Sequence, residues 1–466
     1  MNRHIIRNSQ DNDKSAEMLW GKQTQLSLQF FNIGSQCFSL LFIECLIQIK
    51  RACAEVNHDN GLLNAEVCQV ILAACDELLL NENLFREYAE QFPLSVWQTG
   101  SGTHTNMNVN EVICTLANKL LSKQNKCASE QIHPNDHVNM SQSSNDVFPT
   151  AMHMVVATLT HNKLLKSLTY LYGEIENKQT QFKSLLTVGR THLMDALTLP
   201  VSAVFSGYSA QLKQAETAIC ESLQGVYQLA IGGTAVGGGD NAPPHFGQQV
   251  TLKLVNQTHL PFKVRDNTYA AISGEDALLR YSSALKQLST VLFKMANDFR
   301  LLGSGPRCGF NEWLLPSNEP GSSIMPGKVN PTQCEALSMV CLQVLGNELT
   351  VSLAASNGQL QLNTYRPVII HNIMESIELL TDAMTSFAQN CVKGLTLNDS
   401  QISINMEQNL SVIALLSPTL GYEVSAQIVN EANSKNVSLA KAAESLGLFS
   451  VTEFEELLEE QYQRKK

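Results

Sequence analysis

No Cys-x-x-Cys pair occurs among the 12 cysteines of this 466-residue chain. Structural zinc sites, thioredoxin-like redox centres and many iron–sulfur ligand sets need such spacing. Its absence argues against a metal centre or a disulfide framework and leaves scattered, reduced core thiols, as in a cytosolic protein. Charge is also sparse. Asp, Glu, Lys and Arg make up 16% of residues, and the net charge is −11. That sign disfavours nucleic acid or an anionic membrane as partner. An anionic ligand has to be captured by local positive groups against the global field. Long apolar runs are missing too. The most apolar stretch, Cys37 to Ile49, is short and contains Glu44, which predicts a buried helix and no membrane span. Arg3 and Arg7 are followed by Asp11 and Asp13 with no apolar stretch. No secretory signal or transit peptide is expected, and a cytoplasmic protein is. The glycine-rich run Gly232–Gly239 lacks a following Gly-Lys-Ser/Thr and a βαβ context, so it is no phosphate loop. Repeats and low-complexity tracts are absent.

What is present is helical patterning. Apolar residues make up 44% of the chain, enough for a large core in two or three domains. Val201, Val204, Tyr208, Leu212, Ala215, Ile219, Leu223 and Val226 recur every three or four residues. They predict a long helix opened by Pro200 and closed at Gly232–Gly233. A second stripe runs from Leu278 to Leu302. A third starts near Pro149 and reaches Leu168, and a fourth follows Pro331 through Leu345. Helices of this length are stable only when packed side by side as a bundle. The fold expected is all-α. The low charged fraction also points to surface buried between subunits.

Chemically capable residues cluster in polar segments before these helices. Gly321 to Glu335 reads GSSIMPGKVNPTQCE, a polar loop feeding a helix N-terminus, a place suited to an anion. Asn330 fits a helix N-cap and Pro331 the first helical turn. Gly100 to Asn108 (GSGTHTNMN) offers hydroxyls and amides, and Ser143, Ser144 and Asn145 lie just before the helix that Pro149 is expected to begin. Hydroxyl and amide donors there suit a carboxylate, and the same groups can cap the helix. His192 follows Arg190 and Thr191 in a Gly-Arg-Thr-His run.

Taken together, QTGSGTHTNMNVNEV (98–112), HPNDHVNMSQSSNDVFPTAMH (133–153), GRTH (189–192), AIGGTAVG (230–237), SGPRCG (304–309) and the 321–335 loop resemble the fumarase/aspartase superfamily, in its motif order. The GKVNPTQ form is similar to class II fumarases; Gly327, Thr332 and Gln333 speak against an aspartase. The resemblance covers roughly residues 19–454. It implies an all-α fold of three domains, 1–142, 143–399 and 400–466, with a long central bundle. It implies a homotetramer in which three chains build each active site, a fumarate/malate dicarboxylate substrate, and no metal or cofactor. By the same resemblance, Ser101, Gly102, Thr103, Ser143, Ser144, Asn145, Thr191, Ser323, Lys328, Val329 and Asn330 bind substrate. Ser322 is the carbon base, and His192 with Glu335 handles water. His133, Pro134, Asn135 and Asp136 resemble a second anion site. The chain departs from its relatives at His104, at Met140 (commonly basic), at Gly238–Asn241 with Asp240, at Gln361 (commonly Glu), and in a shortened segment before Trp20. The alternative readings are an aspartase-type ammonia-lyase, as runner-up, and a non-catalytic homologue, against which the complete set Thr191, His192, Ser322, Lys328, Asn330 and Glu335 stands.

Overall fold

The computed structural model describes residues 18–79, 88–123, 131–319, 321 and 324–464. The longer helices, in chain order, are α1 (Lys22–Phe30), α2 (Leu40–Asp59), α3 (Ala65–Leu79), α4 (Thr103–Lys123), α5 (Ser144–Leu159), α6 (Leu165–Gln181) and α7 (Val201–Val226). They continue with α8 (Phe246–Thr258), α9 (Asp276–Leu302), α10 (Thr332–Ser356), α11 (Arg366–Phe387), α12 (Asp399–Gln408), α13 (Tyr422–Lys435) and α14 (Val451–Gln463). Among the described residues the strands form three small two-stranded sheets. The largest is the antiparallel hairpin of β1 (Leu186–Thr191) and β2 (Met194–Pro200). The expected all-α class holds, with this hairpin added.

The chain divides into two compact units. The first comprises 1–158, 223–279 and 350–373; the second comprises 159–222, 280–349 and 374–466. In the first unit, the apolar run foreseen at 37–49 becomes α2, capped by Ser39, whose hydroxyl accepts from the Phe42 amide. Phe42, Leu46, Ile49, Ile71, Ile113 and Phe148 are fully buried there. Each such side chain contributes on the order of 1.5–3 kcal/mol by leaving water. The buried Glu111 carboxylate accepts from the amides of Gly21, Gln23 and Thr24 and from the Thr24 hydroxyl. An anion thereby satisfies the free N–H groups at the start of α1.

In the second unit, α7, α9 and α11 meet through rings. Phe205 stacks on Trp313 at 5.2 Å, and Phe299 stands edge-on to Trp313 at 4.8 Å and 5.2 Å from Phe387. α10 joins them through polar contacts, with Lys286 donating to Glu348 at 2.6 Å and Asn347 to Glu375 at 2.8 Å. The side-by-side packing foreseen for long helices is present here. Near the C-terminus, Val412, Leu416, Ile428, Leu439, Ala442 and Phe454 form an apolar cluster.

Some expected boundaries shift. The helix foreseen to end at Gly232–Gly233 stops at Val226, because Gln228–Leu229 pair in parallel with Lys263–Val264. Pro149 does not open its helix but lies inside α5, which starts at Ser144. A proline has no N–H to give the carbonyl four residues back. That carbonyl, on Asn145, accepts instead from Arg366 Nη1 at 2.7 Å. Asn330 does not cap α10. The Pro331 carbonyl accepts the first helical bond, from the Glu335 amide, and Asn330 Nδ2 donates to the Gly321 carbonyl at 2.7 Å.

Candidate active site

The site residues expected from sequence fall into two sets, one in each unit. In the first unit, Gly102 has φ +77°, and a Cβ there would overlap the Phe148 ring at 2.1 Å. Glycine is therefore required for the chain to turn into α4 against that ring. The turn brings Ser101 Oγ to 2.7 Å from Thr103 Oγ1, which lies 2.6 Å from Ser144 Oγ. The two predicted carboxylate-binding segments are thus joined hydroxyl to hydroxyl at the N-terminus of α5.

Ser143 and Asp146 cap that helix. Ser143 Oγ accepts from the Asn145 amide, and Asp146 Oδ1 accepts from the Ser143 amide at 3.0 Å. Asp146 Oδ2 also accepts from the amides of Gly232 and Thr234 at 3.0 Å. Burial pushes its carboxyl above the usual range, against these backbone bonds that favour the charged form. Asp146 consequently ties the glycine-rich run to the cradle. Asp240, the unusual acid in that run, is exposed. Arg366, fully buried, pairs with Glu275 at 2.7 Å and holds the carbonyls of Asn145 and Ile272. His104 turns toward α1, where its Nδ1 lies 3.0 Å from Ser27 Oγ and its ring stands edge-on to Phe31.

His133 precedes a short helical turn, Pro134–Val138. Its Nδ1 lies 3.0 Å from Asp136 Oδ2, and both side chains are largely exposed. Asn135 is exposed beside them. Gln361 is exposed as well.

In the second unit, Thr191 and His192 sit at the tip of the β1–β2 hairpin, where Thr191 pairs with Met194. His192 and Leu193 have φ 57° and 62°, the positive values of a two-residue hairpin turn of the I′ kind. Non-glycine residues there carry backbone strain. The hairpin is braced from below. Arg190 forms a two-pronged bond to Glu312, Nη1 to Oε2 at 3.1 Å and Nη2 to Oε1 at 2.6 Å, and its guanidinium stacks 4.6 Å from the Phe310 ring. Asn405 Nδ2 donates to the same carboxylate at 2.7 Å.

The 321–331 loop turns at Pro326–Gly327. The Lys328 amide donates to the Met325 carbonyl at 3.2 Å, and Gly327 has φ +79°, as a type II turn with glycine third requires. Lys328 and Val329 are exposed and Asn330 is half-buried. Ser322 and Ser323 lie outside the described residues. Glu335, in the first turn of α10, faces Arg300 at 3.9 Å. Among the described residues no hydrogen bond or ion pair joins it to His192.

Sequence reasoning passed over Lys50, Asp146, Arg366 with Glu275, and the Arg190–Glu312 brace. Lys50 left a signal, as a cation inside the apolar stretch that runs from Phe42 to Ala54. Among the described residues no group of three or more His, Cys, Asp or Glu could hold a metal.

The family model described as Lyase matches residues 11–346. A relative from Thermosynechococcus vestitus named Fumarate hydratase class II is 47% identical over 440 residues, 94% of this chain and 93% of its own. One from Pseudomonas aeruginosa named Fumarate hydratase class II 1 is 48% identical over 437 residues, again 94% and 93%. The crystal structure of recombinant class II fumarase from Schistosoma mansoni is 40% identical, with a TM-score of 0.90 over 97% of this chain and 96% of that one. Likeness of this extent makes the chain a member of the lyase family and, within it, of the class II fumarate hydratases.

Proposed function

We propose that fumarate hydration by this chain runs through an aci-carboxylate, without metal or redox cofactor. In the malate-to-fumarate direction Ser322, as alkoxide, removes the carbon proton and electron density moves into the neighbouring carboxylate. Serine is a poor base unless its anion is held by amides and a nearby cation; Lys328 and the glycine-containing loop supply these. Lys328 and Asn330, with the Ser144–Asn145 amide and hydroxyl donors, stabilise the added charge. One preorganised donor of this kind is worth about 3–4 kcal/mol. His192 gives a proton to the departing hydroxyl, which leaves as water, with Glu335 as its partner. Ser101, Gly102, Thr103, Ser143, Thr191, Ser323 and Val329 hold the substrate. His133, Pro134, Asn135 and Asp136 form a second anion site apart from the chemistry.

The observation that carries this reading is the hydroxyl chain Ser101–Thr103–Ser144, whose links are 2.7 and 2.6 Å, at the N-terminus of α5. It is a preformed set of hydroxyls for a carboxylate where the helix dipole already favours negative charge.

The working form is a homotetramer with sites shared between chains. Two facts support this. Among the described residues no hydrogen bond or ion pair joins His192 to Glu335. And α10, long and apolar enough to span a membrane by length and composition, has only 39% of its most apolar stretch buried. Met339, Leu342 and Leu349 stand 65%, 55% and 59% exposed, along with Glu348 and Asn347 in polar contacts. An apolar stripe beside the Lys286–Glu348 ion pair suits copies of this chain better than lipid. Cytoplasmic location and the division at 142 and 399 belong to the same reading; the separate C-terminal apolar cluster supports the last domain.

Mixing tests the shared site. His192→Asn chains and Ser322→Ala chains, each inactive alone, are expected to regain fumarate absorbance change once mass measurement confirms mixed tetramers. Confirmed mixed tetramers without activity overturn the sharing.

A further inference from the structure

The best-buried cation outside the residues assigned above is Lys50. It lies mid-way along α2 and is fully buried. Its ammonium donates to Asn139 Oδ1 at 2.8 Å and to Gln142 Oε1 at 2.9 Å. Both are neutral amides, and among the described residues no carboxylate forms an ion pair with it. A buried ammonium without a contacting counterion is costly, so a residue serving only to pack would be apolar.

Its partners explain its presence. Asn139 and Gln142 bound the turn that leads directly into Ser143–Asn145. Ser141, inside that turn, has φ 63°, a left-handed conformation that must be held from outside. Asn57, seven residues after Lys50 and on the same face of α2, holds it. Ser141 Oγ donates to Asn57 Oδ1 at 2.7 Å, and Asn57 Nδ2 donates to the Met140 carbonyl at 3.0 Å. Asn139 Oδ1 also accepts from Asn106 at 3.2 Å and Asn110 at 3.1 Å, both on α4, the helix that begins with Thr103. Lys50 therefore sits where the two arms of the cradle are bound together.

We propose that Lys50 is a positioning residue for the carboxylate cradle: with Asn57 it grips the 139–142 turn that presents Ser143–Asn145, and its buried charge biases that cradle toward dianions. This rests on the cradle reading given above. The groups facing the ammonium are Asp146 on α5, Cys53 on α2 and Cys75 on α3. Burial lowers the Lys50 pKa to about 8, with Cys53, Asp146 and Cys75 opposing the shift. The charge is thus present below about pH 8 and lost above it.

The test is Lys50→Met in the full-length assembled enzyme, with folding and oligomer checked by circular dichroism and mass. The KM for fumarate and the Kd of a non-reactive dicarboxylate by calorimetry are expected to rise about tenfold, equivalent to one lost charge interaction, while kcat changes less than threefold. Wild-type enzyme is expected to lose affinity above about pH 8, and Lys50→Met to lack this alkaline limb. A KM within twofold of wild type overturns the proposal. So does a raised KM with the alkaline limb unchanged, since that leaves only a structural part. If Lys50→Met does not fold, Gln142→Leu removes one acceptor and is expected to raise KM severalfold and shift the alkaline limb; no change in either overturns the assignment. Ser144→Ala in the same assays separates the two readings. If it leaves KM untouched the cradle itself is misassigned, whereas a raised KM there with a silent Lys50→Met removes only the role of Lys50.

Discussion

Replacing Arg366 with Met tests whether the cradle depends on a buried ionic lock. Arg366 and Glu275 are 0% and 1% exposed, and the Nε–Oε1 bond is 2.7 Å. The other two guanidinium nitrogens hold the carbonyls of Asn145 and Ile272, each at 2.7 Å. Removing one partner of such a pair is expected to destabilise by about 3–5 kcal/mol, because the other charge is left unpaired. Burial already pushes the Glu275 carboxyl above its usual range while Arg366 pulls it down. Without Arg366 the carboxyl takes up a proton, which limits the loss. The Arg366→Met, Glu275→Leu double variant is expected to recover part of it. The two freed carbonyls keep the recovery incomplete, at about 1–3 kcal/mol each. Urea unfolding followed by circular dichroism, at one fixed protein concentration because assembly adds to stability, gives both values. The double variant is also expected to show a raised KM, since Asn145 loses the guanidinium that anchors its carbonyl. A single-variant loss under about 1 kcal/mol, or a double variant no more stable than the single, refutes the lock.

His192→Asn is expected to lower turnover by roughly a hundredfold or more, the usual contribution of a general acid–base group, and Glu335→Gln to lower it less and move the pH profile; wild-type rates and profiles in both variants rule out the pair. Acid stability offers a separate check. His153 is buried, its Nδ1 donating to the Val226 carbonyl at 2.8 Å, and burial lowers its pKa from 6.5 to about 4. The folded form keeps the ring neutral where the unfolded chain binds a proton, so stability is lost as pH falls from 6.5 toward 4. His153→Gln is expected to flatten that part of the urea-midpoint-versus-pH curve, and an unchanged slope counts against a neutral buried ring.

The sequence by itself determined the helical class, the long stripes of α7, α9 and α10 and the polar character of their leading segments. Period and punctuation are local properties, and motif spacing carries family likeness without any coordinates. Its boundary errors were local rules overruled at a distance. Pro149 reads as a helix start, yet sits inside α5 because Arg366, more than two hundred residues on, takes the carbonyl that proline leaves free. Asn330 reads as a cap, yet its amide is spent on the Gly321 carbonyl. Gly232–Gly233 reads as a helix exit, yet pairing of Gln228–Leu229 with Lys263–Val264 ends α7 earlier. Only the tertiary structure decided which hydroxyls meet at 2.6 Å between residues 103 and 144, and that Glu312 braces the hairpin under His192. Only it made Lys50 a buried clamp rather than a surface cation. Each of these is a contact between side chains far apart in sequence, set by packing that no local pattern encodes.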